Sequence, residues 1–307
     1  MKRDWNLADM PTLDGKIALV TGANAGIGYI TASELARRGA RVLLGVRDTG
    51  RGDAAKQRLL AEVPGADLRV LQLDLSDLRS IEGAVMEIQR TYDHLDLLVN
   101  NAGVMIPPLT RTAQGFELQI GVNHFGHFAL TMQLLGLLDA ADSARVVTVS
   151  SGAHKIGRPD FEDINWERRK YRALQAYADS KFANLLFTFE LQRRLAAEGS
   201  TTIAVAAHPG VAMTELQRHS RWLAASSRLI SHSVEEAALP TLRAATDPDV
   251  RGAEYFGPGK MFELKGAPAR VQPIRRAEDS DLARRLWTLS ERLTGTTLER
   301  PSGRNAA

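Results

Sequence analysis

Six short runs of aliphatic and β-branched residues, separated by longer stretches of helical period, constrain this chain more than any other feature. Ile17–Thr21, Arg41–Val46, Leu68–Leu73, Leu95–Val99, Arg145–Val149 and Thr202–Ala206 each have strand length and are close to continuously apolar. A strand with one face in water alternates apolar with polar residues. A strand covered on both faces does not, so these runs belong to a parallel sheet with helices on either side. A seventh run, Ala253–Phe256, is weaker. Helical periodicity fills the gaps, around 26 to 38, 51 to 62, 77 to 91, 114 to 138, 172 to 198 and 234 to 246, with a last candidate near 279 to 294. Right-handed crossovers then wind the chain into a doubly wound α/β structure of about seven parallel strands with helices on both faces. With no internal repeat and no low-complexity linker, residues 1–307 are expected to form a single domain, with a core from about 14 to 258 and a carboxy-terminal tail, 259–307.

Composition removes several classes of function. Lys plus Arg number 39 and Asp plus Glu 36, and the resulting +3 is interleaved along the chain, which leaves no basic stripe for nucleic acid. There is no cysteine, so disulfides, thiolate metal sites and cysteine nucleophiles are excluded together. Met1 to Pro11 mixes Lys2, Arg3, Asp4 and Asp9 among apolar residues, unlike a secretion signal. No run approaches the roughly 18 apolar residues that cross a bilayer, and a soluble cytoplasmic protein is the expectation. Two stretches break the rhythm of strand and helix. Residues 152–171 are polar and irregular, and 209–232 is a long connection that opens with Pro209-Gly210. Connections of that length in a compact domain serve as lids or binding loops, and 209–232 is expected to meet the substrate.

The carboxyl end of the first strand reads Thr21-Gly22-Ala23-Asn24-Ala25-Gly26-Ile27-Gly28 and leads straight into a helix. Glycine lets the backbone approach a pyrophosphate, while the free N–H groups and dipole of the helix start attract the anion. A simple tight turn reads the same way; the position between first strand and first helix favours a dinucleotide. At the end of the second strand, where an acid would hold the adenosine ribose of NAD, stands Val46, followed by Arg47 and Asp48. Arg47 suits the 2′-phosphate of NADP, so NADP(H) is the expected cofactor; Asp48 keeps NAD(H) open if the register moves by two. Asp74 follows the third strand, placed to accept from an adenine amino group, and Asn101-Ala102-Gly103 makes a small-residue turn after the fourth. Each is equally ordinary turn chemistry.

Tyr177 and Lys181 stand four residues apart in a helical stretch and so share a face, one turn apart. An ammonium beside a phenol favours the phenolate, which lowers the tyrosine pKa and suits it to proton transfer near neutrality. A surface Tyr/Lys pair has the same spacing. What favours the chemical reading is Ser150-Ser151 at the carboxyl end of the fifth strand, where open α/β sheets place their ligands.

In this order and at these spacings, Thr21-Gly-x-x-x-Gly-x-Gly28, Asn100-Asn-Ala-Gly103, Asn123, Ser151, Tyr177-x-x-x-Lys181 and Pro209-Gly210 resemble the short-chain dehydrogenase/reductase family over residues 16–211. Asn123-His-Phe-Gly-His127, Ser150-Ser-Gly-Ala-His154, Ser180-Lys-Phe-Ala-Asn184 and His208-Pro-Gly210 are similar to its branch of retinol dehydrogenases and the WW-domain oxidoreductase. The resemblance implies a Rossmann fold and an NADP(H)-dependent exchange of carbonyl and alcohol on a mainly apolar, small-to-medium substrate. Tyr177 would pass the proton and Ser151 would hydrogen-bond the reacting oxygen. Lys181 would bind the nicotinamide ribose and depress the Tyr177 pKa, and Asn123 would hold a water that extends the relay. Ser151 is preferred to Ser150 because the family serine is usually the second of such a pair. Gly22, Asn24, Gly26, Ile27, Gly28, Arg47, Asp74, Leu75, Asn101, Ala102, Gly103, Tyr177, Lys181, Pro209, Gly210, Val211 and Thr214 would contact the cofactor.

In such proteins the helices at 114–138 and 172–198 commonly pair across a subunit interface, which implies a homodimer or homotetramer. His124, His127, His154 and His208 lack the His-Glu-x-x-His spacing of a zinc site and read as hydrogen-bonded structural residues, with no metal expected. Two other functions stay open. A non-catalytic NADP sensor of the same fold would need no proton relay, and an epimerase or dehydratase using transient hydride transfer would show no net cofactor oxidation.

Overall fold

A computed structural model describes residues 4–210 and 233–297. All seven expected strands are present: β1 (Ile17–Thr21), β2 (Arg41–Val46), β3 (Leu68–Gln72), β4 (Leu97–Asn100), β5 (Arg145–Val149), β6 (Ile203–Ala207) and β7 (Tyr255–Lys260). They are joined by β8 (Lys265–Arg270) in one sheet of order β3-β2-β1-β4-β5-β6-β7-β8. Strands β1 to β7 run parallel. The chain winds outward from β1 to β3, then returns to lay β4 on the other side of β1. That reversal opens a crevice at the carboxyl ends of β1 and β4, where open α/β sheets bind ligands. Strand β8 alone is antiparallel, a hairpin partner of β7 on the sheet edge.

Helices α1 (Gly26–Arg37), α2 (Thr49–Glu62), α3 (Leu78–Thr91), α4 (Leu118–Ile120), α5 (His127–Asp139), α6 (Ala173–Ala197), α7 (Val234–Thr246) and α8 (Ser280–Thr294) flank this sheet. Side chains of a strand alternate between faces. Ala18, Val20, Val42 and Leu44 pack with Leu35 of α1, Leu59 of α2 and Leu242 of α7. Ile17, Leu19 and Leu43 pack on the other side with Ile81 of α3, Leu134 of α5 and Leu191 of α6. Both faces are therefore core, which accounts for the unbroken apolar runs. Burying a side chain such as Leu19 or Leu43 contributes on the order of 2 kcal/mol. Asp48, Asp77, Ser233 and Asp279 start α2, α3, α7 and α8 by accepting from backbone N–H groups of the first turn.

The expected helix at 114–138 is built in three pieces. Glu117 caps α4, residues Gly121–Gly126 then form a π turn, and α5 follows. π turns widen a helix by one residue and recur at functional sites. Here the turn carries Asn123, and it is pressed onto the connection after β3, since a Cβ on Gly126 would lie 2.4 Å from the main-chain oxygen of Leu75.

Helix α8 closes the outer face of α5 and α6. Trp287 stacks on Phe187 with centroids 6.0 Å apart and meets Phe128 edge-on at 5.0 Å, while the Arg194 guanidinium lies 4.3 Å above its ring. Ser290 Oγ and His124 Nε2 are 2.8 Å apart beneath it. The last described helix thus packs on both stretches, 114–138 and 172–198, expected to meet a second subunit. Phe128 and Phe187 are covered at this point by Trp287 of α8.

Candidate active site

The turn after β1 is held in shape from below. Thr21 is buried, and its Oγ1 accepts from Asn101 N and Ala102 N at 2.9 Å each, while Asn101 Nδ2 donates to Thr21 O at 2.8 Å. Gly22 and Gly26 have φ of 68° and 57°, the left-handed region that glycine enters without strain. A Cβ on Gly22 would also lie 3.1 Å from Ala102. Helix α1 starts at Gly26, and Ala25 before it supplies no side-chain cap, so the first N–H groups of the helix border the turn uncapped.

A cleft of about 370 Å³ opens above this turn. It is lined by Gly22, Asn24, Gly26, Ile27, Gly28, Arg47, Asn101, Ala102, Gly103, Tyr177, Lys181 and Pro209, as expected, and also by Ala25, Arg51, Val104, Val149 and Ser150. Asp74 and Leu75 are not brought to its wall. Asp74 Oδ1 accepts from Ser76 N and Oγ at 2.9 and 2.6 Å, and Leu75 is buried against Gly126. Gly210 is pressed onto the β7–β8 hairpin, where a Cβ would lie 2.7 Å from Leu264 O. Val211, Thr214 and the rest of the 209–232 substrate loop beyond Gly210 lie outside the described residues. A larger recess, about 660 Å³, opens at the amino ends of β1 and β2 among Lys16, Arg41, Asp67 and Tyr92 and holds none of the expected residues. Strand polarity, not volume, marks the site.

At the end of β2, Val46 turns into the protein, for a Cβ on Gly52 of α2 would lie 2.6 Å from its Cγ2. Asp48 is engaged as the cap of α2, accepting from Arg51 N at 3.1 Å. Arg47 and Arg51 are both exposed on the cleft rim. Arg51 was not foreseen; its signal in the sequence is its place on the first turn of α2, four residues after Arg47.

Helix α6 presents Tyr177 and Lys181 on one face, both buried, with Lys181 Nζ 6.0 Å from the centroid of the phenol ring. Ser151 caps the 3-10 turn Gly152–Ile156, its Oγ accepting from Ala153 N at 3.2 Å, and bears on the Tyr177 phenol, lowering its pKa. Ser150 Oγ donates to Lys181 O at 2.8 Å, and of the two serines Ser151 is the one that influences the phenol's pKa. Burial pushes the Tyr177 phenol above its usual value, and Ser151 opposes the rise. The net direction is therefore upward, set by desolvation, and Lys181 is not among the groups that shift it. Lys181 is itself drawn down by burial to about 8. Its Nζ donates to Val149 O at 2.9 Å, an oxygen that also accepts from Asn184 Nδ2 at 3.1 Å.

Asn123 is buried beside this pair. Its Oδ1 accepts from Val104 N at 2.8 Å, and its Nδ2 donates to Val104 O at 3.0 Å and Ser180 Oγ at 2.9 Å. Both amide hydrogens are committed to protein groups, while Oδ1 keeps one lone pair. Residues 152–171 are pinned down and do not form a free lid. Arg158 N donates to Asp179 Oδ1 at 2.7 Å, Tyr171 Oη donates to Glu117 Oε1 at 2.8 Å, and Trp166 is buried.

Three comparisons bear on this arrangement. A family model described as short chain dehydrogenase matches residues 16–222. Retinol dehydrogenase 13 of Homo sapiens is 43% identical over 303 residues, covering 95% of this chain and 88% of its own length. Retinol dehydrogenase 12 of Homo sapiens is 44% identical over 291 residues, covering 94% and 89%. The crystal structure of a Mycobacterium paratuberculosis protein aligns at a TM-score of 0.82 with 44% identity, covering 97% of this chain and all of that one. The NADP complex of Pseudomonas aeruginosa RhlG aligns at 0.63 with 27% identity, covering 80% of this chain and 94% of that one.

Proposed function

The chain belongs to the short-chain dehydrogenase family, and on that premise we propose that it is an NADP(H)-dependent oxidoreductase with Tyr177 as general acid and base. It interconverts an alcohol and a carbonyl on a mainly apolar, small-to-medium substrate. The observation that carries this reading is the convergence on one cleft of a phosphate cradle, the Gly22–Gly28 turn, and a proton-transfer pair, Tyr177 and Lys181. The residues suit a dinucleotide. Gly22 and Gly26 leave bare backbone at the turn, the start of α1 keeps uncapped N–H groups, and Arg47 and Arg51 put two cations on the rim. The arginines, the inward turn of Val46 and the engagement of Asp48 support NADP over NAD, as does the NADP complex of RhlG. Two relatives named for retinol, itself an apolar alcohol, are in keeping with the substrate class.

When bound, the nicotinamide gives or takes the hydride. Ser151 and Tyr177 would meet the reacting oxygen together, Tyr177 giving its proton in reduction and regaining it in oxidation. Burial favours the neutral phenol, the form that reduction requires. Lys181 would hold the ribose hydroxyls and favour the phenolate left after transfer, and Val149 O stays paired with Asn184 if Lys181 leaves it.

The test is purified protein with NADPH or NADH and a panel of apolar aldehydes and ketones. Tyr177→Phe should lower kcat by roughly 10²- to 10⁴-fold, the range general acid catalysis supplies, with NADPH affinity within about two-fold. A variant with wild-type kcat refutes the role of Tyr177. Cofactor uptake with no net oxidation on any carbonyl refutes the reductase and returns the sensor or the epimerase.

A further inference from the structure

His127, the first residue of α5, is fully buried and touches neither end of the Tyr177–Lys181 pair, yet it spans two parts of the site. Its Nε2 lies 2.9 Å from Thr21 Oγ1 and its Nδ1 lies 3.1 Å from the main-chain oxygen of Asn123. The protons follow from counting donors and acceptors. A carbonyl only accepts, so Nδ1 carries the hydrogen and donates to Asn123 O, which leaves Nε2 as a lone pair. Thr21 Oγ1 already accepts from Asn101 N and Ala102 N, which fills both its lone pairs and leaves one proton to give. His127 Nε2 at 2.9 Å is a closer acceptor for it than Val99 O at 3.3 Å. Every link then runs in one sense: the N–H groups of Asn101 and Ala102 to Thr21, Thr21 to His127, His127 to Asn123 O.

We propose that His127 is a positioning residue that locks the nucleotide cradle to the Asn123 turn, so that one buried chain of hydrogen bonds sets both cofactor affinity and proton transfer. This rests on the function proposed above. At one end, Thr21 immediately precedes Gly22, and Asn101 and Ala102 line the cleft. At the other end, the Asn123 amide holds Val104 and Ser180, the neighbour of Lys181 in α6. The π turn gives this end its dependence on His127, because its carbonyls sit outside the regular α-helical ladder. The ring stays neutral throughout. An imidazolium would aim an N–H at an oxygen with no lone pair to spare, and burial holds the ring down at about 3.

Three substitutions separate positioning from packing. The amide of Gln reaches the place of the imidazole Nε2, and that of Asn the place of Nδ1. His127→Gln should hold NADPH Kd within about two-fold and lower kcat about ten-fold, the order of one buried hydrogen bond left unmade. His127→Asn should do the reverse, keeping kcat within about two-fold and raising NADPH Kd about ten-fold. His127→Phe should lose both. Kd by fluorescence titration and kcat with saturating NADPH are read on full-length protein, below the thermal midpoint of each variant. The inference is overturned if the three variants lose kcat and affinity together in step with their midpoints, or if all match the wild type. Wild-type protein that takes up no NADPH overturns the proposed function itself, and this inference with it.

Discussion

Replacing Gly28 by alanine sets two effects of opposite sign against each other. Gly28 is the third residue of α1, and inside a helix alanine is favoured over glycine by about 1 kcal/mol. Here, however, a Cβ would lie 2.4 Å from Gly22 O and 2.5 Å from Asn101 Nδ2. Neither neighbour can yield cheaply. Gly22 is main chain anchored by its own N–H on Gly45 O at 2.8 Å, and Asn101 Nδ2 is committed to Thr21 O at 2.8 Å. Overpacking of this kind costs about 1–3 kcal/mol, and a displaced buried hydrogen bond about 1 more. The clash outweighs propensity, so Gly28→Ala should be about 1–3 kcal/mol less stable and should bind NADPH at least about ten-fold more weakly. Gly83 of α3 and Gly136 of α5 are the controls, since a Cβ on either meets nothing within 4 Å. Each alanine there should add about 0.5–1 kcal/mol and leave cofactor affinity unchanged. Denaturant unfolding and NADPH titration of the three variants decide the matter. If Gly28→Ala gained stability as Gly83→Ala does, or kept wild-type affinity, the close approach of α1 to the cradle would be refuted.

Three further outcomes are expected. Burial holds His124 and His127 at about 3 and His154 at about 4, whereas each would titrate near 6.5 in the unfolded chain. Below pH 6.5 the unfolded state takes up more protons, so stability is complete above that value and falls with acid by up to about 4 kcal/mol per pH unit for three such groups. A thermal midpoint unchanged between pH 7 and pH 5 contradicts this. Lys181, at about 8 instead of 10.5, places on the order of 3 kcal/mol against its charged form below pH 8, a penalty that disappears above pH 10.5. Lys181→Met should therefore stabilise the fold at pH 7 and less so at pH 10 while abolishing turnover, and a loss of stability at pH 7 contradicts the sign. Arg47→Ala should raise the KM for NADPH about ten-fold, one charge-assisted hydrogen bond, and hold that for NADH within about two-fold. Equal effects on both cofactors remove Arg47 from the 2′-phosphate.

The sheet was readable because its strands are covered twice, which leaves no polar alternation to blur Ile17–Thr21 or Arg145–Val149. Strand β4 begins at Leu97, two residues later than its apolar run, although Asp96 N still donates to Ile17 O at 3.0 Å and Asp96 O accepts from Arg145 N at 2.8 Å. Strand β8 escaped notice because an edge strand such as Lys265–Arg270 keeps one side open to water and needs no apolar run. Tyr177, Lys181 and the glycine turn stood out by spacing, but their chemical reading needed Ser150-Ser151 at the end of the fifth strand, the place of the turn between first strand and first helix, and the family resemblance. The rise of the Tyr177 pKa was not legible, because it depends on how much water the finished fold removes, which no interval along the chain encodes. The role of His127 was hidden for a similar reason. Its partner Thr21 stands 106 positions away, and a histidine that bridges two elements looks in a sequence like one that fills space.

Helix α8, the last described, is also the cover for the middle of the chain. During synthesis Phe128 and Phe187 leave the ribosome long before Trp287, so the nascent chain displays an uncovered aromatic surface for much of its translation. Completion of the native state must wait for the carboxy-terminal segment to emerge, and chains truncated before it would present that surface to chaperones.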